Sequence, residues 1–177
     1  SSDLEYRGTI ENRMRLPLQI FEVMRAELGS GIALGVRVTG SDWVEGGWTT
    51  DDCVTFCQRL EAAGADFVDV SSGGVSPLQK ISIGPGYQVA FAARVKQAVQ
   101  LPVITVGMIT EPQQAEDILQ SGQADMVALA RAFISNPRWS CHAAAALGGK
   151  LEGHPQYYRC LPSSMPKIFG DISTNQR

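Results

Sequence analysis

Short apolar runs alternate along the chain with longer segments in which apolar residues recur at helical spacing. Four apolar, β-branched runs begin near residues 33, 66, 102 and 125. Their apolar character is continuous rather than alternating, which is typical of parallel strands covered on both faces. Ahead of the first run, one helical face carries Leu16, Ile20, Val23, Met24 and Leu28. The pattern predicts an α/β fold in which one helix is followed by four strand–helix units.

Capping signals and breakers set the predicted boundaries. The predicted helices cover about residues 11–28, 50–63, 87–99, 111–121 and 137–147. Thr110–Gln113 resembles a capping box with Pro inside the first turn. From Lys150 onward the sequence turns to Gly, Pro and Ser, so residues 151–177 are expected to form a mostly irregular tail. No domain boundary is visible, and residues 1–177 are predicted to form a single domain.

Composition and net charge limit the kinds of partner that the chain is expected to bind. A chain of 177 residues with 44% hydrophobic content is long enough for one domain with a substantial core. Its net charge of −3 gives no support to binding of nucleic acid or a membrane surface. No apolar run approaches the roughly 18 residues that span a bilayer, and the first residues contain no signal-peptide core. We therefore expect no nucleic-acid or membrane partner and a cytoplasmic location.

The cysteines and histidines favour neither a metal site nor a nucleophile. The four cysteines match no common zinc spacing and are interpreted as thiols in a reducing compartment: Cys53, Cys57, Cys141 and Cys160. The two histidines, His142 and His154, have no nucleophile or carboxylate at a telling spacing. We interpret both as structural or solvated, and no metal is predicted.

Two strand ends carry the residues best suited to chemistry. The third run ends at Gly107 and Met108, where backbone can approach a ligand closely. The fourth ends at Ala130 and Arg131, whose guanidinium never loses its charge. The loops after the last two strands of a (β/α)₈ barrel commonly hold a phosphate. A phosphate-bearing cofactor is the first hypothesis. The alternative is that Gly107 only permits a tight turn and Arg131 pairs with an acidic neighbour.

Arg37 stands between valines in the first predicted strand, where a charge needs a carboxylate, a ligand or water. Spacing alone supports two interpretations equally: contact with an electron-rich part of a ligand, or an ion pair with Asp69 on the next strand. Asp66 and Asp69 flank the second strand. Paired carboxylates could serve as acid and base, but aspartates at strand ends more often cap turns.

Several stretches together resemble the old yellow enzyme family of FMN-dependent ene-reductases, in the branch that includes xenobiotic reductases and related NADPH dehydrogenases. The similarity covers nearly the whole chain in order and spacing. It is carried by Tyr6–Arg13, Gly35–Asp42, Asp69–Gly74, Pro85–Gln88, Val103–Ile109, Leu129–Arg131 and Pro155–Arg159. The resemblance implies the C-terminal half of a (β/α)₈ TIM barrel, with FMN as cofactor and NAD(P)H as hydride donor.

By position, the resemblance implies a role for each candidate. Arg37 would face the pyrimidine edge of the flavin and stabilise negative charge on the reduced ring. The ribityl phosphate would be bound by Gly107, Met108, Ala130 and Arg131. Arg159 matches an arginine that reaches into a neighbouring subunit. Two residues depart from the family pattern, because Arg7 and Ala130 each stand where the family has glycine. A backbone donor survives the change at Ala130.

The resemblance also implies that the family's first four strands, and the residues that hold the substrate and donate a proton, belong upstream of Ser1. No catalytic residue is therefore assigned to this chain, which is expected to be catalytically incompetent by itself. The substrate of the whole enzyme would be an activated alkene. Two other hypotheses remain. One is a non-catalytic phosphate-binding half-barrel that forms a homo-oligomer or complements an N-terminal half-barrel, since its sheet edges are open. The other is a sugar-phosphate barrel enzyme.

Overall fold

The computed structural model describes residues 5–151 and residue 156. Six helices occur in this part of the chain: α1 (Ile10–Leu28), α2 (Thr50–Ala62), α3 (Val89–Lys96), α4 (Pro112–Gln120), α5 (Arg131–Ser135) and α6 (Trp139–Ala146). Four strands alternate with them: β1 (Gly35–Thr39), β2 (Phe67–Ser71), β3 (Val103–Val106) and β4 (Met126–Ala128). The predicted order of one helix and four strand–helix units is confirmed, and the short helix α5 is an additional element that the sequence pattern did not predict.

The four strands form one parallel sheet in the order β1-β2-β3-β4. Consecutive strands are neighbours, as in a sector of a (β/α)₈ barrel. One register row runs straight across the sheet through Arg37, Asp69, Ile104 and Met126. The carboxyl ends of all four strands therefore lie along one edge.

One face of the sheet carries the hydrophobic core. Val68, Val70 and Val103 are fully buried there, together with Leu60 of α2 and Val95 of α3. Alternate strand positions point to this face, which explains why every second residue of β2 and β3 is buried.

The other face of the sheet is left partly exposed by the described residues. Its register row includes Arg37, with a side chain 57% exposed, and Met126, which is 42% exposed. The prediction that the strands are covered on both faces is therefore wrong for residues 5–151. The apolar residues on this face are suited to the interior of a closed barrel, and four strands do not close one.

Helix α1 packs through a different face from the one that the sequence marks as apolar. Met14 and Phe21 are buried in the core, whereas Leu16, Ile20 and Val23 are 50%, 51% and 63% exposed. We call the exposed set the α1 stripe; it consists of Leu16, Ile20, Val23, Met24 and Leu28. Periodicity identified the stripe correctly as one face, but it does not say what covers that face.

Two helix starts differ from each other in how they are capped. Thr49 and Asp52 form a complete capping box at α2. The capping box predicted for Thr110–Gln113 is wrong, because α4 has Glu111 at its N-cap and no side-chain cap. Instead the Gln114 side chain accepts from the Thr110 N–H at 3.1 Å.

The buried cysteines behave as hydrophobic residues. Cys53 and Cys57 are fully buried on α2, and both are free thiols, as is Cys141. A hydrogen bond with Cys53, followed by burial, raises the pKa of the Cys57 thiol far above its usual range. These two side chains are therefore part of the core packing and are not nucleophiles.

Residues 152–155 and 157–177 lie outside the described part of the chain. The predicted irregular tail, His154, Cys160 and the subunit-contact candidate Arg159 fall there. Among the described residues, no helix is both long enough and apolar enough to cross a membrane.

Candidate functional site

A cleft of about 450 Å³ opens at the carboxyl ends of the strands. It is lined by the ends of β2, β3 and β4, by the residues that follow β3 and β4, and by three side chains from elsewhere: Arg37, Tyr87 and Gln88. All five residues predicted to bind a cofactor lie in it: Arg37, Gly107, Met108, Ala130 and Arg131. Their proximity is a finding, and their role in binding stays a prediction.

The turn after β3 has a backbone conformation that its sequence explains. Gly107 has φ +126°, a region that L side chains rarely adopt. A Cβ at this position would lie 2.8 Å from Nε2 of Gln88 and 3.1 Å from Cε1 of Tyr87. Glycine is therefore required here by both conformation and space. Met108 follows with φ +48°, an unfavourable conformation for a non-glycine residue.

Arg131 also lines the cleft, after the neighbouring strand β4. The fourth apolar run was predicted to continue as a strand up to this residue, and that boundary is wrong. Strand β4 ends at Ala128, where pairing with Val106 of β3 ends, and Arg131 is the first residue of α5. Its side chain forms no salt bridge with any described residue, so the ion pair required by the alternative interpretation is not found in that part of the chain.

Arg37 forms the ion pair with Asp69 that one interpretation predicts, and contact with a ligand stays a prediction. Its Nη1 lies 2.6 Å from Oδ2 of Asp69, its register partner on β2. The arginine side chain is 57% exposed and also lines the cleft, whereas the Asp69 side chain is only 16% exposed. The ion pair uses one of the guanidinium's nitrogens, and the remaining donors are available to a ligand.

Asp66 immediately precedes β2 and Asp69 lies within it, and the two aspartates have different structural roles. Asp66 accepts hydrogen bonds from the N–H of Leu34 and from the guanidinium of Arg25, which ties α1 to the starts of β1 and β2. The Leu34 N–H and then Arg25 hold the pKa of this carboxyl below its usual range. Asp69 lies inside the strand and pairs with Arg37, so the interpretation of Asp69 as a turn cap is wrong.

The cleft contains side chains that sequence reasoning did not assign to it. Ser72 and Gln88 line it and are hydrogen-bonded to each other. Tyr87, from the stretch Pro85–Gln88, also lines the cleft. His142 is exposed and hydrogen-bonded to Asn136 at 2.8 Å, away from the cleft.

Comparison with known proteins identifies the class to which this fold and cleft belong. Residues 1–148 match the NADH:flavin oxidoreductase / NADH oxidase family, and the chain belongs to that family. The predicted relationship to old yellow enzymes and the predicted cofactor, FMN with NAD(P)H as electron donor, are confirmed at the level of the family. The alternative of a sugar-phosphate enzyme gains no support.

Particular relatives define the match more closely. The chain is 41% identical over 155 residues to the NADPH dehydrogenase of Geobacillus thermodenitrificans, a match that covers 88% of this chain and 45% of the relative. A 2-naphthoyl-CoA reductase structure matches with a TM-score of 0.72 at 26% identity, over 82% of this chain and 22% of that one. Morphinone reductase matches with a TM-score of 0.60 at 23% identity, over 86% and 39%.

These matches confirm the predicted fold class of an α/β half-barrel. The chain spans about half the length of the NADPH dehydrogenases that it resembles.

Proposed function

We propose that this chain binds FMN by its phosphate, as the flavin-binding part of an NAD(P)H-dependent oxidoreductase. The observation that carries the proposal is the convergence of the Gly107–Met108 turn and Arg131 on one cleft with Arg37. No described residue accepts a hydrogen bond from the N–H groups of Gly107 or Met108. Unpaired N–H groups opposite a guanidinium without a carboxylate partner are the donor set that a phosphate dianion requires.

Each residue has a distinct task in this proposal. The Gly107 and Met108 N–H groups and the backbone at Ala130 would hold phosphate oxygens, and Arg131 would add charge-assisted bonds. Arg37 would meet the pyrimidine edge of the flavin and stabilise negative charge on it, with Asp69 fixing the orientation of the guanidinium. When bound, FMN supplies hydride transfer from NAD(P)H to the β-carbon of an activated alkene such as an enone.

We propose further that the chain alone does not catalyse that reaction. It corresponds to 45% of the length of an NADPH dehydrogenase. Among the described residues, none extends the sheet beyond β1 or β4, so the described strands do not close around the cleft. With FMN, NADPH and cyclohexenone, the chain should oxidise NADPH no faster than free FMN does. A yellow, stoichiometrically flavinylated sample that reduces cyclohexenone would contradict this part of the proposal.

A second candidate function is assembly into a closed barrel. The partly exposed face of the sheet and the α1 stripe support it, because exposed apolar patches and open strand edges favour pairing with another polypeptide. The partner would be a second copy of this chain or a complementing N-terminal half-barrel. In either case β1 and β4 would gain parallel neighbours, and the row containing Ile104 and Met126 would become a barrel interior.

We also propose a subunit contact and a cellular location. Arg159 is proposed to reach a neighbouring subunit, a role implied by its position in the family pattern. A cytoplasmic location is proposed because the free thiols Cys53, Cys57 and Cys141 suit a reducing compartment.

A further inference from the structure

Gln88 is a buried polar residue whose side chain forms its hydrogen bonds outside its own helix. It is 4% exposed and stands at the N-cap of α3, yet it makes no capping hydrogen bond. Its Oε1 accepts from the Ser72 hydroxyl at 2.6 Å, and its Nε2 donates to the Val106 carbonyl at 3.2 Å. The side chain therefore joins the ends of β2 and β3, which are 16 to 18 residues away in sequence.

The connection continues to the loop after β1. The Trp43 indole N–H donates to the Ser72 hydroxyl at 2.9 Å. Trp43 has φ +58°, a strained conformation for a bulky residue, and its ring packs edge-on against Phe91 at 5.3 Å between centroids. Strain of this kind persists only where the surroundings impose it. Trp43, Ser72, Gln88 and the Val106 carbonyl thus form one chain of contacts across three strand ends.

The carbonyl groups at the end of β3 and in the turn that follows it accept hydrogen bonds from neighbouring residues. The Gln88 amide donates to the Val106 carbonyl. The Gly86 N–H donates to the Gly107 carbonyl at 2.9 Å, and the Gln114 amide donates to the Met108 carbonyl at 3.1 Å. Three consecutive acceptors are thereby occupied by protein donors. The N–H groups of Gly107 and Met108 are left without acceptors among the described residues. A turn in this state offers donors and no acceptors, which suits an anion.

We propose that Gln88 is a positioning residue for phosphate binding, acting through the Gly107–Met108 turn. This inference rests on the proposed function of FMN binding. Gln88 is the buried member of the set of donors, and its amide packs directly against Gly107, since a Cβ there would lie 2.8 Å from Nε2. Without it, the Val106 carbonyl is free to rotate toward the cleft, where its lone pairs repel a phosphate.

The test compares Gln88→Met, which keeps the approximate volume and removes both hydrogen bonds, with Val95→Ala. Val95 is fully buried on the same helix, so its truncation destabilises the core without touching the turn. Affinities for FMN and for riboflavin, which lacks the phosphate, are measured by flavin fluorescence. Exchange of the Gly86 amide proton, which reports the bond to the Gly107 carbonyl, is measured by NMR without flavin.

We expect Gln88→Met to bind FMN at least tenfold more weakly, to change riboflavin affinity less than threefold, and to speed Gly86 exchange about tenfold. Val95→Ala should leave the ratio of FMN to riboflavin affinity at the wild-type value. An unchanged ratio together with unchanged Gly86 exchange in folded Gln88→Met would overturn the inference. If that variant does not fold, Ser72→Ala removes the bond to Gln88 together with the bond from Trp43 but leaves the bond from Gln88 to the Val106 carbonyl in place. It should lower the ratio in the same direction, and an unchanged ratio there also overturns the inference.

The same measurements distinguish failure of the proposed function from failure of the inference about Gln88. If the wild-type chain binds no FMN, the proposed function fails, while faster Gly86 exchange in Gln88→Met still supports the bracing of the turn. Unchanged exchange in that case overturns both.

Discussion

Arg131 and Arg37 line the same cleft but differ in what their charges meet. Arg37 has the Asp69 carboxylate at 2.6 Å, whereas Arg131 has no salt-bridge partner among the described residues. The Arg131 charge is therefore fully available to a phosphate dianion. The Arg37 charge is partly neutralised and is better suited to a delocalised charge on a flavin ring.

Replacing Arg131 by alanine should weaken FMN binding by about 10- to 100-fold, since a charge-assisted hydrogen bond contributes roughly 1.5–3 kcal/mol. Riboflavin affinity should hardly change. The matched control is Arg94→Ala, which removes an exposed arginine on α3 whose nearest carboxylate, that of Asp51, is 3.6 Å away. Equal losses for FMN and riboflavin in Arg131→Ala would show that this residue does not bind the phosphate.

The Arg37→Met variant should behave differently. Because we place Arg37 at the flavin ring, FMN and riboflavin should lose affinity by the same factor, roughly 3- to 10-fold. The free energy of unfolding should fall by roughly 1–3 kcal/mol, because the Asp69 carboxylate, whose side chain is only 16% exposed, loses its partner. Fluorescence titration with both flavins measures the factor, and a loss confined to FMN would contradict the assignment.

Gly107→Ala tests the turn itself. An alanine at φ +126° is strained, and its Cβ would meet Gln88 and Tyr87. We expect a loss of about 1–3 kcal/mol in unfolding free energy and loss of the preference for FMN over riboflavin. Denaturant unfolding and flavin titration check the two effects. Gly122→Ala is the control, because Gly122 also has positive φ but open space around it and lies away from the cleft; its flavin preference should stay at the wild-type value.

At the level of residues, the sequence predicted cleft positions at the ends of the third and fourth strands, but not Ser72 after the second. The order of apolar runs brings such positions together in any parallel sheet. Gln88 could not be found in this way. Its importance depends on contacts with Ser72 and Val106, and a glutamine before a helix carries no sign of being buried.

Among the elements, the start of β4 is fixed by one carboxylate. Asp125 accepts from the Val103 N–H at 2.7 Å and pairs with Lys96 of α3 at 2.8 Å. Burial raises the pKa of this carboxyl, but the Lys96 ammonium and the Val103 N–H outweigh it, so the net pKa is lowered. The carboxylate thereby links α3, β3 and β4.

The lowered pKa of Asp125 determines how the stability of the fold depends on pH. Because the folded pKa is below the unfolded value of about 3.9, the stabilisation is fully present above pH 4–5 and is lost as the pH falls through the folded pKa. Asp125→Asn should cost roughly 1 kcal/mol at pH 7 and should nearly equal the wild type near pH 2. Urea unfolding at both pH values measures the difference. A difference that grows on acidification would contradict the account.

Sequence periodicity predicted the helices and strands of the described region well, because each is dominated by local spacing. It failed where tertiary contacts set the end of a strand or the buried face of a helix. Strand β4 ends at Ala128 because its pairing with β3 ends there. The core-facing side of α1 is set by Met14 and Phe21 rather than by its more regular apolar stripe.

For the whole molecule, the partly exposed sheet face and the α1 stripe predict self-association when no complementing half is present. Sedimentation velocity should detect species of at least twice the 19.1 kDa chain mass. The double variant Ile20→Glu with Val23→Glu should shift the population toward the monomer, and unfolding free energy should change by less than about 1 kcal/mol because both residues are exposed. Ala62→Glu on the exposed surface of α2 is the control for added charge. A wild-type chain that is monomeric at every concentration would refute this prediction.

The central claim is that this chain carries a phosphate-specific flavin site. The most direct test is a titration of the purified chain with FMN and with riboflavin, followed by visible flavin absorbance and fluorescence. We predict saturable binding of one FMN per chain, with riboflavin bound at least tenfold more weakly. Absence of FMN binding, or equal affinity for the two flavins, would contradict the claim.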